Sequence, residues 1–285
     1  MNKVSTLVIA RLTFLEAANR KILLAALLLG LLFLIVYGLG FHFIMIEVEE
    51  QFGKSNLLQL NEIRNFLLMA GMYVINFLTV MMAVLTSVDT LSGEISSGSI
   101  QTLVAKPIRR WQVVVGKWLG FAGMLTLYII LMGGGVMGFI YLRTGYTAPH
   151  PLNALALIWF NGLVLLSVSL LGGSTLSTLA NGVLVFGLYG VAFIGGWIEH
   201  VGIFLRDQAS SLAAVNIGII TSLIIPSEAL WKRAAHELQS PLVAALGFSP
   251  FVTAYYPSGI MVGYAVLYMF AALGVAVFLF NKRDL

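Results

Sequence analysis

Between Asp89 and Lys117 the sequence reads DTLSGEISSGSIQTLVAKPIRRWQVVVGK, a polar stretch set between two long apolar runs. Its features follow in order: the carboxylate of Glu94, Gly98-Ser99, Leu103, a Lys106-Pro107 break, Arg109-Arg110 beside Trp111, and Gly116-Lys117 at the return to apolar sequence. The chemistry on offer is docking rather than bond making. Guanidinium groups pair with carboxylates or phosphates in a fixed fork. Glu94 falls near the front of a candidate helix, where a carboxylate suits the positive dipole end. Gly98 permits close backbone approach, and Pro107 keeps the residue before it out of helical geometry. The blander reading is a basic loop whose charges only fix topology.

Other groups offer less. His42, Glu47, Glu49 and Glu50 gather at the end of an apolar run, and such side chains are competent metal ligands, but their spacing follows no ligand pattern. They read as solvated charge. Glu199-His200 reads as the cap of a span, and His150 between two prolines as loop. There is no cysteine, which removes disulfides, thiolate metal sites and thiol nucleophiles. No H-E-x-x-H or G-x-S-G motif occurs, and Gly116-Lys117 runs into Trp118 without the preceding glycine of a nucleotide-binding loop. No catalytic, cofactor or metal site is expected in this chain.

Most of the 285 residues position this elbow within a membrane. The chain is 59% hydrophobic and 10% charged, with mean hydropathy +0.96, whereas soluble domains carry about 25% charged residues. Its net charge is +4, and the basic residues cluster beside apolar runs, which favours anionic lipid over nucleic acid as a partner. Charge-free or nearly charge-free runs at 22–46, 66–88, 119–142, 152–180, 183–198 and 256–280 read as six transmembrane helices, each measured against a hydrocarbon core of about 30 Å. The tight turn between the fourth and fifth is placed at Asn181-Gly182. Residues 1–21 place Val4, Leu7, Val8, Leu12 and Leu15 near one face at helical spacing, an amphipathic helix for the membrane interface. Residues 199–255 contain a short apolar run stopped by Pro226 and then a polar helix around Trp231, Lys232 and Arg233; they read as a re-entrant or interfacial excursion, with a seventh span as the competing assignment.

Orientation follows from the basic residues. Lys3, Arg11, Arg20, Lys21, Lys106, Arg109, Arg110, Lys117, Lys282 and Arg283 fall on one side, against Lys54, Arg64, Arg143, Arg206, Lys232 and Arg233 on the other. The richer side is cytoplasmic, so both termini and the elbow (89–117) are expected there. The span cores hold no ionised residue, which argues against a proton-coupled carrier. Their polar residues, Asn76, Thr79, Asn161, Ser167, Ser169 and Ser174, read as the lining of a weakly polar path suited to an amphiphilic or lipid-like substrate. Glycines four apart, Gly116/Gly120, Gly134/Gly138 and Gly259/Gly263, are candidates for close helix packing.

The order Glu94, Gly98-Ser99, Leu103, Lys106-Pro107, Arg109-Arg110, Gly116-Lys117 after a second span resembles the cytoplasmic loop of ABC-2 type transporter permeases, the membrane subunits of one large class of ABC transporters. The six spans, the N-terminal helix and the excursion before the last span are similar to that family too, so the resemblance covers essentially the whole chain. It implies that the elbow is a coupling helix docked on a cytoplasmic ABC ATPase dimer, with ATP and Mg bound on that partner. It also implies a second permease subunit, identical or related, export as the direction, and a prokaryotic inner membrane. A non-transporting membrane scaffold and an ATP-independent carrier are the alternatives.

Overall fold

In hydrocarbon every backbone N–H and C=O needs an internal partner, and so apolar a chain meets that demand with helices. The computed structural model describes residues 2–19, 21–53, 56–98, 109–202, 205, 207–246, 251 and 256–283. Among them are ten helices and no strand: α1 (Asn2–Ala18), α2 (Lys21–Phe52), α3 (Leu57–Ser96), α4 (Arg110–Thr144), α5 (Pro151–Gly173), α6 (Thr178–Gly202), α7 (Gln208–Ile224), α8 (Ser227–Leu238), α9 (Pro241–Leu246) and α10 (Gly259–Lys282). Six of them, α2, α3, α4, α5, α6 and α10, are long and apolar enough to cross a membrane. The protein is an all-α, multi-pass integral membrane protein.

Several helices outrun their apolar stretches. The 40 residues of α3 reach about 60 Å, twice the hydrocarbon thickness, so α3 continues through Asp89–Ser96 as a projecting stalk. α2 likewise runs through Glu47–Glu50 to Phe52. α4 stops at Gly145, whose φ of 69° puts it in the left-handed region and whose N–H returns to the Tyr141 carbonyl at 2.7 Å. Pro151 then opens α5 at a position where its missing N–H costs nothing.

The turn between the fourth and fifth spans lies at residues 174–177, not at Asn181-Gly182. Asn181 is fully buried one turn inside α6, where its Nδ2 donates to the Ser169 carbonyl (2.9 Å) and the Val88 carbonyl (3.1 Å). A turn-forming residue by propensity is used here as a brace among three helices.

α3 and α5 form the centre. Asn161 Nδ2 donates to Asn76 Oδ1 (2.9 Å), Ser87 Oγ to Ser169 Oγ (2.8 Å), and Trp118 Nε1 to Ser167 Oγ (2.9 Å). With Thr79 and Ser174, these asparagine and serine side chains are buried. The expectation that they line a path is corrected: within the subunit they join helices in a medium where lipid offers no competing partner.

α7 and α8 form a bent pair, turning through 108° at Ile225-Pro226. α7 runs antiparallel to α6, with Ala214 against Gly202 and Thr221 against Gly195, so it descends about 10 Å below the end of α6. α8 then returns. Asn65 Nδ2 donates to the Leu238 carbonyl (2.8 Å), Ser240 Oγ to Glu62 (2.6 Å), and the His150 N–H to the Glu237 carbonyl (3.1 Å). Those partners belong to the start of α3 and the α4–α5 connection, the side from which α7 entered. The pair is a hairpin that dips and comes back. The two ends of the bundle are called below the elbow side and the hairpin side.

Candidate functional site

On the elbow side the last turn of α3 meets the second turn of α4. Lys117, 3% exposed, donates to Glu94 Oε1 at 2.5 Å. Glu94 therefore sits at the negative end of the α3 dipole and not at the front of a helix; the ammonium of Lys117, rather than helix N–H groups, balances its charge. Gly98 ends the same helix. Its φ of 72° is what the stop of α3 requires, with its N–H on the Ile95 carbonyl (3.3 Å), and among the described residues a side chain there would meet nothing within 4 Å. Ser99, Leu103, Lys106 and Pro107 lie outside the described residues.

The arginine pair divides. Arg109 precedes α4 in an extended conformation, gives its backbone N–H to Gln112 Oε1 (3.0 Å), and leaves its side chain exposed. Arg110 turns to the chain's other end, its Nη1 donating to the carbonyls of Asn281 (3.1 Å) and Arg283 (2.6 Å). Arg283 donates to the Ser174 carbonyl (2.6 Å), and Thr178 Oγ1 to Asp89 (2.9 Å). The ends of α3 and α10, the start of α4 and the α5–α6 turn are thus tied into one knot.

α1 is fastened to the same knot. Side chains added at Gly116 or Gly120 would strike Ile9 or the Ala10 carbonyl and Thr13, so these glycines let α1 lie against α4. The buried face of α1 is Thr6, Ile9, Thr13 and Ala17, while Leu7, Val8, Leu12 and Leu15 remain exposed. The leucine stripe faces away from the protein. Among the described residues, Gly134, Gly138, Gly259 and Gly263 have no atom within 4 Å of an added side chain.

The hairpin side holds charges that sequence reasoning placed differently. Glu199 does not simply cap α6: Lys232 of α8 reaches its Oε2 at 2.6 Å, with both side chains buried. Glu228 stands one turn earlier on α8, against Gly196. The amphipathic spacing of α8 could have placed Lys232 on its buried face, since Glu228 and Lys232 are four apart, but nothing local points to Glu199. Asp207 caps α7; the Ser210 hydroxyl and N–H donate to it and hold its carboxyl below the usual range. At the end of α2, His42 accepts from Arg143 Nε (3.2 Å), and Glu49 lies 3.9 Å from Arg64.

Two cavities flank the Glu199–Lys232 pair. One of about 400 Å³ lies among α7, α8 and the start of α10, walled by Ile219, Leu223, Ala229, Pro257 and Met261 with the ion pair at its edge. A second of about 200 Å³ lies between α3 and α6 over Glu228.

A family model described as ABC-2 family transporter protein matches residues 7–285. No curated protein matches the chain.

Proposed function

The chain belongs to the ABC-2 family of transporter proteins, and from that membership we propose that it is the permease of an ATP-driven exporter, coupled through its elbow side to a separate ATPase. The observation that carries the coupling is the Lys117–Glu94 clamp. A force on the segment between α3 and α4 is delivered to both helices at once, and through Arg110 and Gly116/Gly120 to α10 and α1. Arg109, exposed at the head of α4, meets acidic residues of the ATPase. Two ATPase subunits bind ATP and Mg and close; two permeases, identical or related, respond by opening outward.

The positive-inside rule favours a cytoplasmic elbow side and cytoplasmic termini, and the family membership supports a prokaryotic inner membrane as the setting. The exposed leucines of α1 face lipid at that surface. The 400 Å³ cavity, apolar with one ion pair at its edge, favours an amphiphilic or lipid-like cargo.

The test is purification with the ABC ATPase encoded beside this chain. The two are expected to co-purify, and ATP hydrolysis to change when the permease is present. Arg109→Glu is expected to abolish that change while membrane insertion stays normal. ATP hydrolysis indifferent to the permease would refute the assignment.

A further inference from the structure

The smaller cavity, about 200 Å³, is lined by Tyr73 and Phe77 of α3, Tyr189 and Phe193 of α6, and Glu228 from the head of α8. Its aromatic wall continues outside it: Phe193 and Trp197 rings lie 6.4 Å apart, and Trp197 Nε1 donates to the Tyr73 hydroxyl at 3.2 Å, fixing that ring. An aromatic belt serving only the membrane interface turns its rings to the headgroups. Here Tyr189 is 7% exposed and turns inward, toward a carboxylate.

Glu228 makes no hydrogen bond or ion pair among the described residues that would neutralise it. Glu228 is partly buried and lines the cavity. Lys232, the nearest cation on its own helix, is engaged by Glu199, and Arg233 by Glu237 at 3.1 Å. Burial pushes the Glu228 carboxyl up to about 7, with Lys232 opposing the shift and Glu199 adding to it. A cation in the cavity would favour the charged carboxylate, and aromatic rings attract a cation placed over their faces.

We propose that this box binds an organic cation, a substituted or quaternary ammonium group, held between the faces of Tyr73, Phe77, Tyr189 and Phe193 and paired with Glu228. A small hydrated metal ion is the poorer occupant, because Glu228 is the one carboxylate lining the cavity and no cluster of three metal-ligating carboxylates or imidazoles occurs among the described residues. Phe77 and Trp197 are 41% and 46% exposed, so the box is reached from the outer face of α3 and α6. It shares no lining residue with the apolar cavity beside α10. The site is a binding site whether or not the chain is coupled to an ATPase.

The experiment is calorimetric titration of the purified full chain in nanodiscs, without ATPase, using choline and its uncharged isostere 3,3-dimethylbutan-1-ol. Choline is expected to bind saturably and the isostere at least about tenfold more weakly. Glu228→Gln, which keeps the shape and removes the charge, is expected to weaken choline about tenfold; Phe193→Leu, which keeps apolar bulk and removes a ring face, several-fold. Thermal unfolding of each variant is measured alongside. Should Glu228→Gln not fold, the choline-to-isostere ratio and Phe193→Leu decide. Absence of saturable choline binding, equal binding of the isostere, or full affinity in a folded Glu228→Gln protein would overturn the proposal.

Discussion

Each end of the bundle buries a Lys–Glu pair, but the two are set in different surroundings. Lys117 and Glu94, 23 positions apart, join the end of one helix to the start of the next, amid side chains that bind backbone carbonyls. Lys232 and Glu199, 33 positions apart, join a spanning helix to a hairpin that enters and leaves on one side, with Glu228 and two cavities beside them. A buried ion pair repays its desolvation only when its geometry is good and its remaining lone pairs are met. The elbow side ties the ends of α3 and α10, the start of α4 and the α5–α6 turn together. The hairpin side keeps a second carboxyl group and empty space beside its ion pair, the conditions for a ligand.

The largest expected effect tests the hairpin end. Lys232→Met leaves Glu199 buried without its partner beside Glu228 and should cost about 3–5 kcal/mol of stability, read by denaturant titration of the purified protein. Adding Glu199→Gln should restore much of the loss. A single substitution with wild-type stability would remove the contrast between the two ends.

Lys117→Met should cost less, about 2–3 kcal/mol, because Glu94 retains 14% exposure and lies where its helix leaves the hydrocarbon. Its distinguishing sign is loss of coupling to ATP hydrolysis, which Lys232→Met should leave in whatever protein remains folded. If both variants uncouple equally, the ends do not differ in function.

Gly120→Ala drives a methyl group toward the Ala10 carbonyl and should cost about 1–3 kcal/mol, with faster hydrogen exchange confined to α1. Gly138→Ala, with open space around it, should change nothing in the isolated subunit. Gly98→Ala should cost about 1 kcal/mol for its left-handed backbone, visible as a small drop in unfolding midpoint.

The same contrast explains what could be read without coordinates. Six apolar runs and a polar elbow are local properties of the chain, and both the all-helical fold and the family followed from them. The elbow's inner arrangement was partly legible: Glu94 and Lys117 drew attention as charges at span ends, but the helical continuation through Asp89–Ser96 reversed the end of the dipole on which Glu94 sits. Arg109 and Arg110 look equivalent in sequence, yet only Arg110 reaches the α10 carbonyls. The hairpin side was poorly legible because its pairings are distant. Glu199 and Lys232 each look like surface charge beside an apolar run, and Tyr73 and Tyr189 like ordinary span aromatics, until α8 folds back between α3 and α6. Asn181 shows the limit of propensity: a turn residue by type became a buried brace once Val88 and Ser169 offered carbonyls.

The central claim is that the elbow side meets the ATPase. The chain contains no cysteine, so a single Arg109→Cys variant carries one reactive thiol. In the complex assembled with the ABC ATPase, a short bifunctional crosslinker on that thiol should capture the ATPase, with a yield that changes on adding ATP. Gln208→Cys, exposed on the hairpin side, should capture none. Capture from Gln208→Cys but not from Arg109→Cys would contradict the account.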